Sequence, residues 1–422
     1  MKARFLHQNN CRLCGSRNVE LVVKLAPIPL TEKYTATNQV DADEDRYPLD
    51  IYMCAECGHV QLLDVIDSDV LWDNFTYHSG QTKGIVEHFD AVVESLVARY
   101  QPPPGSLIVD VGSNDGSLLR PFKQRGYRVL GIDPAKEIAR KANEADIETL
   151  PELLTTDLAR SIRAKHGPAA VVTAFNVFAH AEDMSDMTAS IRLMLADQGI
   201  FQFEAQYLLD IIDKTLLGTI IHEHMSHHSV KPLKRFLERH GLEMIDVERV
   251  GIQRGSIIGT AQPAGGRRAV RPSVAEMLAL EEERRLDSPE TIKQFGVRLD
   301  QMKRQFASLI ADWKSRGASI AAYGAARSGP TFIEQFGLGQ AIQCIFDDHP
   351  QKVHKFSPGH QIPVVPTAEL LKRMPDYVII LAWIHTKKIV ADNRQYLERG
   401  GRFVTCCPDI RIIDANSNPA DL

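Results

Sequence analysis

The sequence predicts an α/β protein in which two parallel-sheet units follow a small module containing four cysteines. Three observations predict it: two Cys-x-x-Cys pairs near the N-terminus, aliphatic runs that alternate with helical segments from residue 107, and a second such alternation from residue 318. Buried strands separated by helices are typical of a parallel sheet covered on both faces. A chain of 422 residues is also too long for a single hydrophobic core.

Composition and charge argue against several functional classes. The net charge is −5, from 49 Lys and Arg and 54 Asp and Glu, and the dense charge run at residues 41–45 is acidic. Nucleic-acid binding needs clustered Lys and Arg, so we expect no nucleic-acid partner. Apolar runs such as 378–384 are far shorter than the roughly 20 residues of a membrane span, and residues 1–10 lack a signal-peptide core. We therefore expect a cytoplasmic protein without membrane contact. The oligomeric state stays open, with a monomer as one option.

The cysteine pairs Cys11/Cys14 and Cys54/Cys57 predict a structural zinc site. Each pair is followed by a glycine, and 39 residues separate the pairs. Two thiolates at this spacing fit one edge of a Zn²⁺ tetrahedron, and four thiolates leave no open coordination position for catalysis. The other cysteines, at positions 344, 406 and 407, lie in apolar segments and are expected to be buried small hydrophobes.

The periodicity of apolar residues defines the remaining elements. We expect strands at 19–25, 49–53, 107–111, 127–132, 169–174, 199–204, 318–323, 341–346 and 377–383, and helices at 87–100, 117–125 and 135–145. A charged, helix-prone stretch at 273–316 breaks at 287–289, and its apolar residues between 292 and 313, Val297 among them, are expected to approximate one face of a helix. The expected domains are a zinc module at 1–72, a first α/β domain at 73–265, a helical connector at 266–316 and a second α/β domain at 317–422. The two α/β units share a strand, glycine turn and helix plan, which is compatible with an internal duplication.

The turn after the first α/β strand predicts a cofactor site. Its glycines, Gly112 and Gly116, let the backbone approach a ligand beside a helix N-terminus. Their spacing is Gly-x-x-x-Gly and not the Gly-x-Gly-x-x-Gly of dinucleotide sites. Asp110, Asp115 and Asp133 would repel a pyrophosphate but suit a cofactor with an ammonium and a sulfonium group. These features favour S-adenosylmethionine over NAD in a Rossmann-like domain, with Asp133 accepting from the ribose hydroxyls.

Residues 108–117 resemble the first motif of class I methyltransferases. The whole chain is similar to the zinc-containing sugar C-methyltransferases that act on nucleotide-linked ketodeoxysugars. The matching segments are the Cys₄ module, 175–180, 222–224 and 323–325, in the order of that family. The resemblance implies S-adenosylmethionine and structural Zn²⁺ as cofactors. The cofactor-binding residues we expect are Asp110, Gly112, Ser113, Asn114, Asp115, Gly116, Asp133, Phe175 and Asn176.

Methylation of carbon needs a base that removes the proton beside a ketone, so that the enolate can attack the methyl group. The segment 222–228 holds four histidines and one glutamate, and histidine exchanges protons near neutral pH. The resemblance implies that His224 and Glu223 lie at the sugar, with His224 as the preferred base. It also implies that His180 faces the transferred methyl group and that Tyr77 closes over the substrate. His222, Tyr323 and Arg327 are expected to bind the substrate, the last two in a domain that helps to hold the nucleotide.

The chain departs from the family at two positions. Ile221 stands where the family usually has a tyrosine, so a phenol that could share the base or oxyanion role is missing. Ser328 stands where a lysine is common, and Arg327 beside it could supply the charge for a phosphate. Two alternatives stay open: an O- or N-methyltransferase on another sugar or small metabolite, and a regulatory protein that binds S-adenosylmethionine without turnover.

Overall fold

A computed structural model describes residues 5–36, 45–67, 70, 71, 80 and 84–417. Tyr77 lies outside the described residues, so its predicted role stays a prediction.

The N-terminal segment forms short antiparallel strands around the cysteine pairs. The strands are β1 (Phe5–His7), β2 (Val19–Val23), β3 (Ile51–Cys54), β4 (Val60–Leu62) and β5 (Asp64–Ile66). Strands β2, β3 and β4 are neighbours in one sheet, and β1 pairs with β5. The strands expected at 19–25 and 49–53 are present within two residues at each end.

The central unit is a seven-stranded sheet covered by helices. Its strands, with one that lies outside it (β11), are β6 (Leu107–Val111), β7 (Arg128–Ile132), β8 (Thr149–Leu150), β9 (Ala169–Phe175), β10 (Leu195–Gln206), β11 (Ser226–His227), β12 (Leu242–Val250) and β13 (Ser256–Pro263). The strand order is β12-β13-β10-β9-β6-β7-β8, in which β12 and β13 are antiparallel to their neighbours and the others parallel. The helices are α1 (Ile85–Tyr100), α2 (Leu119–Gln124), α3 (Lys136–Glu144), α4 (Thr156–His166), α5 (Met184–Met194), α6 (Leu208–Asp213) and α7 (Val230–Arg239).

Strand β11 joins a different sheet from the strands around it in sequence. It pairs antiparallel with β4, Ser226 opposite Gln61 and His227 opposite Val60, and so extends the sheet of the cysteine module. The chain therefore returns from the central unit to the N-terminal module at the histidine-rich segment.

Two helices lead to the C-terminal unit, α8 (Pro272–Glu283) and α9 (Pro289–Ser315), with the break at the predicted place. Helix α9 buries one face at three- and four-residue spacing. That face consists of Ile292, Phe295, Leu299, Met302, Phe306, Ile310 and Trp313. Val297, predicted on the same face, is instead 45% exposed. Gly296 of α9 lies against Val23 of β2, so the helix packs on the cysteine module as it passes.

The C-terminal unit is a second, smaller sheet. Its strands are β14 (Ile320–Tyr323), β15 (Ile345–Phe346), β16 (Val364–Val365), β17 (Tyr377–Ile380), β18 (Arg402–Thr405) and β19 (Ile412–Ile413). The order is β16-β15-β14-β17-β18-β19, parallel except for β19. The helices are α10 (Gly329–Phe336), α11 (Leu370–Arg373), α12 (Thr386–Asp392) and α13 (Arg394–Glu398).

The predicted fold class is confirmed: a cysteine module, a Rossmann-like domain and a second α/β domain. The boundaries at 72, 265 and 316 stay predictions. Among the described residues, no helix is both long and apolar enough to cross a membrane.

Candidate active site

The loop after β6 is a turn that glycine alone fits. Gly112 has a φ of 69°, and a Cβ atom there would lie 2.4 Å from Val177 Cγ2. Its N–H donates to the carbonyl oxygen of Ile132 at 2.7 Å, which ties the turn to β7. The backbone thus bends at the carboxyl edge of the sheet, where ligands of open α/β sheets bind.

Asp133 holds the same turn from the end of β7. Its Oδ2 accepts from the N–H of Asn114 at 2.9 Å, and its Oδ1 accepts from the N–H of Ala135 at 2.9 Å. Each carboxylate oxygen has a further lone pair, so the group can still accept from a ligand hydroxyl. The sequence predicted the ribose contact but not this support of the turn.

The other two carboxylates lie in different surroundings. Burial raises the pKa of Asp110 to about 7, although Thr173 Oγ1 donates to it at 2.6 Å. Asp115 accepts from Ser117 Oγ at 2.6 Å and from the N–H of Gly80 at 2.8 Å. Burial also raises the pKa of Asp133. The turn therefore carries less negative charge near neutral pH than three ordinary carboxylates would give.

The remaining predicted cofactor residues surround this turn. Ser113 Oγ is buried and has no hydrogen-bond partner in the described part of the chain. Asn114 has a φ of 50°, and a Cβ atom on Gly116 would lie 2.8 Å from Ile147 Cγ2. Phe175 ends β9 and packs edge-on against Phe89 of α1 at 6.0 Å between ring centroids.

Asn176 is held by a carboxylate that the sequence did not single out. Its Nδ2 donates to Glu204 Oε1 at 2.9 Å, and its N–H donates to the carbonyl oxygen of Glu204 at 2.8 Å. Glu204 is fully buried, and its Oε2 forms a hydrogen bond with His88 Nε2 of α1. An ionised carboxylate only accepts, so the amide of Asn176 must turn its nitrogen to Glu204 and its oxygen elsewhere. The position of Glu204 at the end of β10, beside the end of β9, is the signal that could have found it.

Two histidines, His180 and His224, lie close to each other and to the backbone of Glu223. His180 Nδ1 lies 2.7 Å from the carbonyl oxygen of Glu223, and His224 Nδ1 lies 2.6 Å from that of Thr219. The rings of His180 and His224 are 5.0 Å apart between centroids. A carbonyl oxygen only accepts, so Nδ1 carries the hydrogen in both rings. In His224 this leaves Nε2 as the nitrogen that can accept a proton.

Exposure separates the histidines of this region. His222, His227 and His228 are at most 2% exposed, whereas His180 and His224 are half-buried. Within 221–230, His224 is the one residue that is not fully buried. His222 instead contacts the cysteine module, with Nε2 3.3 Å from the carbonyl oxygen of Tyr47. The structure thus brings His180 and His224 to accessible surface and directs His222 away from it.

Although half-exposed, His180 and His224 lose enough hydration in the fold to favour their neutral forms. This loss of hydration lowers the pKa of His224 to about 4, with a further lowering by the charge of Arg327. It lowers the pKa of His180 to about 3, helped by the neighbouring His224. Both imidazoles are therefore free bases at neutral pH, the form that can take a proton.

The Glu223 side chain lies where three parts of the chain meet. Thr31 Oγ1 donates to Glu223 Oε1 at 3.0 Å, and Arg327 Nε lies 3.9 Å from the same oxygen. Glu223 Oε2 is buried without a hydrogen-bond partner among the described residues. A buried carboxylate oxygen without a donor is costly, so this oxygen is the natural acceptor for a bound ligand.

A second carboxylate, Glu32, forms ion pairs with two cations of the C-terminal unit. Glu32 Oε1 lies 3.6 Å from Arg327 Nε, and Glu32 Oε2 lies 2.9 Å from Lys352 Nζ. Lys352 also donates to the carbonyl oxygen of Ala325 at 3.0 Å, at the turn after β14. Sequence reasoning missed Thr31, Glu32 and Lys352. The nearest signal was the acidic pair at 347–348, which directly follows the strand expected at 341–346.

The C-terminal turn repeats the construction of the cofactor turn. Asp347 Oδ2 accepts from the N–H of Ala325 at 2.7 Å, as Asp133 accepts from Asn114. Gly324 has a φ of 93°, and its N–H donates to the carbonyl oxygen of Phe346 at 2.8 Å. The shared plan predicted from the sequence thus extends to the hydrogen bonds of the two turns.

The positions at which the chain departs from the family are both buried. Ile221 is 3% exposed. Ser328 Oγ donates to the carbonyl oxygen of Leu381 at 3.3 Å, so its hydroxyl is used within the fold. Tyr323 ends β14, and its hydroxyl lies 3.5 Å from Asn393 Nδ2. The cations near the C-terminal turn are instead Arg327 and Lys352.

The four N-terminal cysteines form one cluster whose sulfur atoms all lie within 4.8 Å of one another. The Sγ atoms of Cys11 and Cys57 are 3.6 Å apart, and those of Cys14 and Cys54 are 3.5 Å apart. The edge of a ZnS₄ tetrahedron with bonds of about 2.3 Å is roughly 3.8 Å, so the cluster fits zinc. Cys344, Cys406 and Cys407 are buried elsewhere, as expected.

Known proteins match this organisation along almost the whole chain. Family models described as a zinc binding domain, a methyltransferase domain and a C-methyltransferase C-terminal domain match residues 11–72, 86–247 and 251–408. The C-methyltransferase NovU of Streptomyces niveus is 33% identical over 410 residues, which covers 97% of this chain and 98% of NovU. The chain belongs to the C-methyltransferase family.

More distant matches cover less than half of the chain. A ubiquinone biosynthesis O-methyltransferase of Burkholderia pseudomallei is 25% identical over 171 residues, 37% of this chain and 72% of that protein. The magnesium protoporphyrin IX methyltransferase of Synechocystis PCC 6803, with bound SAH, is 20% identical and covers 47% of this chain and 100% of its own, at a TM-score of 0.36. Nothing about function follows from a likeness at that level.

This C-methyltransferase is thus an S-adenosylmethionine-dependent enzyme with a structural zinc site. The predictions of enzyme class and of both cofactors are confirmed.

Proposed function

We propose that this C-methyltransferase acts on a nucleotide-linked keto-deoxysugar and methylates the carbon beside the ketone. The observation that carries the proposal is the convergence at Glu223: a buried oxygen without a donor, next to the accessible His224, Thr31 and Arg327. A sugar hydroxyl would supply the missing hydrogen bond to Glu223 Oε2, since a hydroxyl can donate to a carboxylate.

His224 is the base in this proposal. Its Nδ1–H donates to the carbonyl oxygen of Thr219, and this hydrogen bond fixes the ring and leaves Nε2 to accept the proton. The low pKa keeps His224 unprotonated before the reaction. The negative charge that develops on the substrate would then raise the proton affinity of the His224 imidazole. His180 lies beside it as a second neutral imidazole.

In this proposal the turn after β6 binds the cofactor, and the turn after β14 binds the nucleotide part of the sugar substrate. Asp133, Asn114 and Asn176 would hold S-adenosylmethionine, which supplies a methyl group bound to a sulfonium. Arg327 and Lys352 would bind the phosphates of the nucleotide, and Tyr323 lies at the same turn. Glu32 pairs with both cations and keeps two partly buried positive charges compensated.

Solvent exchange tests the proposal against an O- or N-methyltransferase, the alternative that the sequence left open. The enzyme is incubated in D₂O with a nucleotide-linked 4-keto-6-deoxysugar and without S-adenosylmethionine, and the sugar protons are followed by NMR. Loss of the signal beside the ketone is expected, because enolisation precedes methyl transfer. Methyl transfer to the same sugar without any exchange at carbon would contradict the proposal, since oxygen and nitrogen acceptors need no enolate.

A further inference from the structure

Arg12, inside the first cysteine pair, is built into the segment that carries His224. Its Nη1 donates to the carbonyl oxygens of Leu62 at 2.5 Å and Met225 at 3.2 Å. Met225 directly follows His224, and its carbonyl oxygen also accepts from the N–H of Leu62 at 2.9 Å. One guanidinium therefore holds strand β4 of the cysteine module and the residue next to the proposed base.

The pairing of β4 with β11 attaches two further residues, Ser226 and His227, to the cysteine module. Ser226 lies opposite Gln61 in the sheet, and Ser226 Oγ lies 3.1 Å from His59 Nε2. Gln61 Oε1 in turn accepts from the N–H of Arg12 at 3.1 Å. The backbone from Met225 to His227 is thus held by the cysteine module. The next residue, His228, is held by the central unit, because its carbonyl oxygen accepts from the N–H of Leu208 at 2.8 Å.

The positive charge of Arg12 is opposite in sign to the charge expected of a four-thiolate zinc centre. Its Nε and Nη2 atoms are buried without hydrogen-bond partners in the described part of the chain. With Zn²⁺ bound, the four thiolates would give the centre a net charge of −2, which would supply the countercharge that the buried Arg12 guanidinium needs. Loss of the arginine would remove both this compensation and the hydrogen bonds to Leu62 and Met225.

We infer that Arg12 is a positioning residue that couples the zinc knuckle to the His224 segment, so that the zinc module sets the place of the proposed base. The effect on catalysis rests on the proposed function, whereas the effect on the backbone at 225–227 does not.

The test compares Arg12→Gln with Arg12→Lys and with Arg17→Gln, a matched control at an exposed arginine of the same module. Four readouts are taken: zinc per chain, S-adenosylmethionine affinity by calorimetry, amide hydrogen exchange at 60–62 and 225–227, and turnover. In Arg12→Gln we expect zinc and cofactor affinity within about twofold of wild type. We expect amide exchange in both segments to rise at least tenfold and turnover to fall by about 10–100-fold.

Partial rescue by Arg12→Lys is expected, because an ammonium also donates to carbonyl oxygens. Wild-type amide exchange and turnover in Arg12→Gln would overturn the inference. So would loss of zinc together with loss of cofactor binding, which would show a general role in folding. If the wild-type enzyme fails to exchange the sugar proton, the proposed function fails, and the amide exchange at 225–227 still tests the coupling.

Discussion

Thr31 donates its hydroxyl hydrogen to Glu223 across 3.0 Å, although the two residues are 192 positions apart. The bond links the N-terminal module to the histidine-rich segment and holds Glu223 by its Oε1 atom. The other carboxylate oxygen, Oε2, has no partner among the described residues. The candidate substrate site is therefore shared between the zinc module, the central unit and, through Arg327, the C-terminal unit.

Replacing Thr31 by valine keeps the shape and removes this hydrogen bond. We expect the free energy of unfolding to fall by about 1–2 kcal/mol, because the buried Glu223 loses the donor that Thr31 supplies. The KM for the sugar substrate should rise while S-adenosylmethionine affinity stays the same. Thr35→Val is the control, because it removes a hydroxyl of the same segment that donates to Gln361 at 3.2 Å and not to Glu223. An unchanged KM in Thr31→Val would show that Glu223 does not contact the substrate.

Zinc should be present at about one atom per chain, and Cys54→Ser should lose metal and stability together. The reason is that the sulfur atoms of the cluster are already at tetrahedral spacing. Elemental analysis and thermal unfolding measure both effects. Cys344→Ala, at a buried cysteine outside the cluster, should keep its zinc. A folded wild-type protein without any metal would rule this prediction out.

Asp133→Asn should weaken S-adenosylmethionine binding by about 1–3 kcal/mol, because an amide has one acceptor oxygen where the carboxylate has two. Asparagine is preferred to alanine, since Asp133 also accepts from two backbone N–H groups of the turn. Calorimetry measures the affinity, and Glu137→Gln, on the exposed face of α3, is the control. Equal affinity in variant and wild type would place the ribose elsewhere.

Acid should destabilise the fold through His227 and His228. Burial lowers their pKa values to about 3 and about 4, below the usual value near 6.5. The unfolded chain therefore binds more protons, so stability is lost as pH falls from about 6.5 toward the folded values. The loss at pH 5.5 is about 1 kcal/mol for each histidine.

Urea unfolding at pH 8 and pH 5.5 measures this loss, with zinc content checked at both values. His228→Phe should reduce the pH dependence, because the phenyl ring can pack against His59 and Phe178 without titrating. If the variant and the wild type lose the same stability between the two pH values, His228 is already protonated or does not titrate in this range.

Local sequence patterns predicted most of the fold and the turn residues. The two cysteine pairs, the glycine of the first turn and the break before Pro289 depend on neighbours in the chain, which a sequence displays directly. The strand expected at 341–346 is shorter in the structure, Ile345–Phe346. Val297 was placed on the buried face of α9, although the packing of that helix on β2 and on the C-terminal unit decides which residues are covered.

The site was predictable only in part, because its supporting contacts cross the whole chain. The bond from Thr31 to Glu223 and the ion pair from Glu32 to Lys352 join segments 192 and 320 positions apart. No spacing rule relates such residues. The histidine-rich segment was recognisable by composition, but the sequence could not show that His224 is accessible while His222 faces Tyr47. That distinction comes from the pairing of β11 with the cysteine module.

The most direct test of the account measures deuterium exchange and turnover in His224→Asn, with cofactor binding measured in parallel. If His224 removes the proton beside the ketone, the variant should bind S-adenosylmethionine normally, lose solvent exchange at the sugar carbon and turn over about 10²–10⁴-fold more slowly. Glu223→Gln should retain measurable exchange if, as proposed, its carboxylate contacts the sugar without taking the proton. Full exchange and turnover in His224→Asn would contradict the account and place the base at another residue.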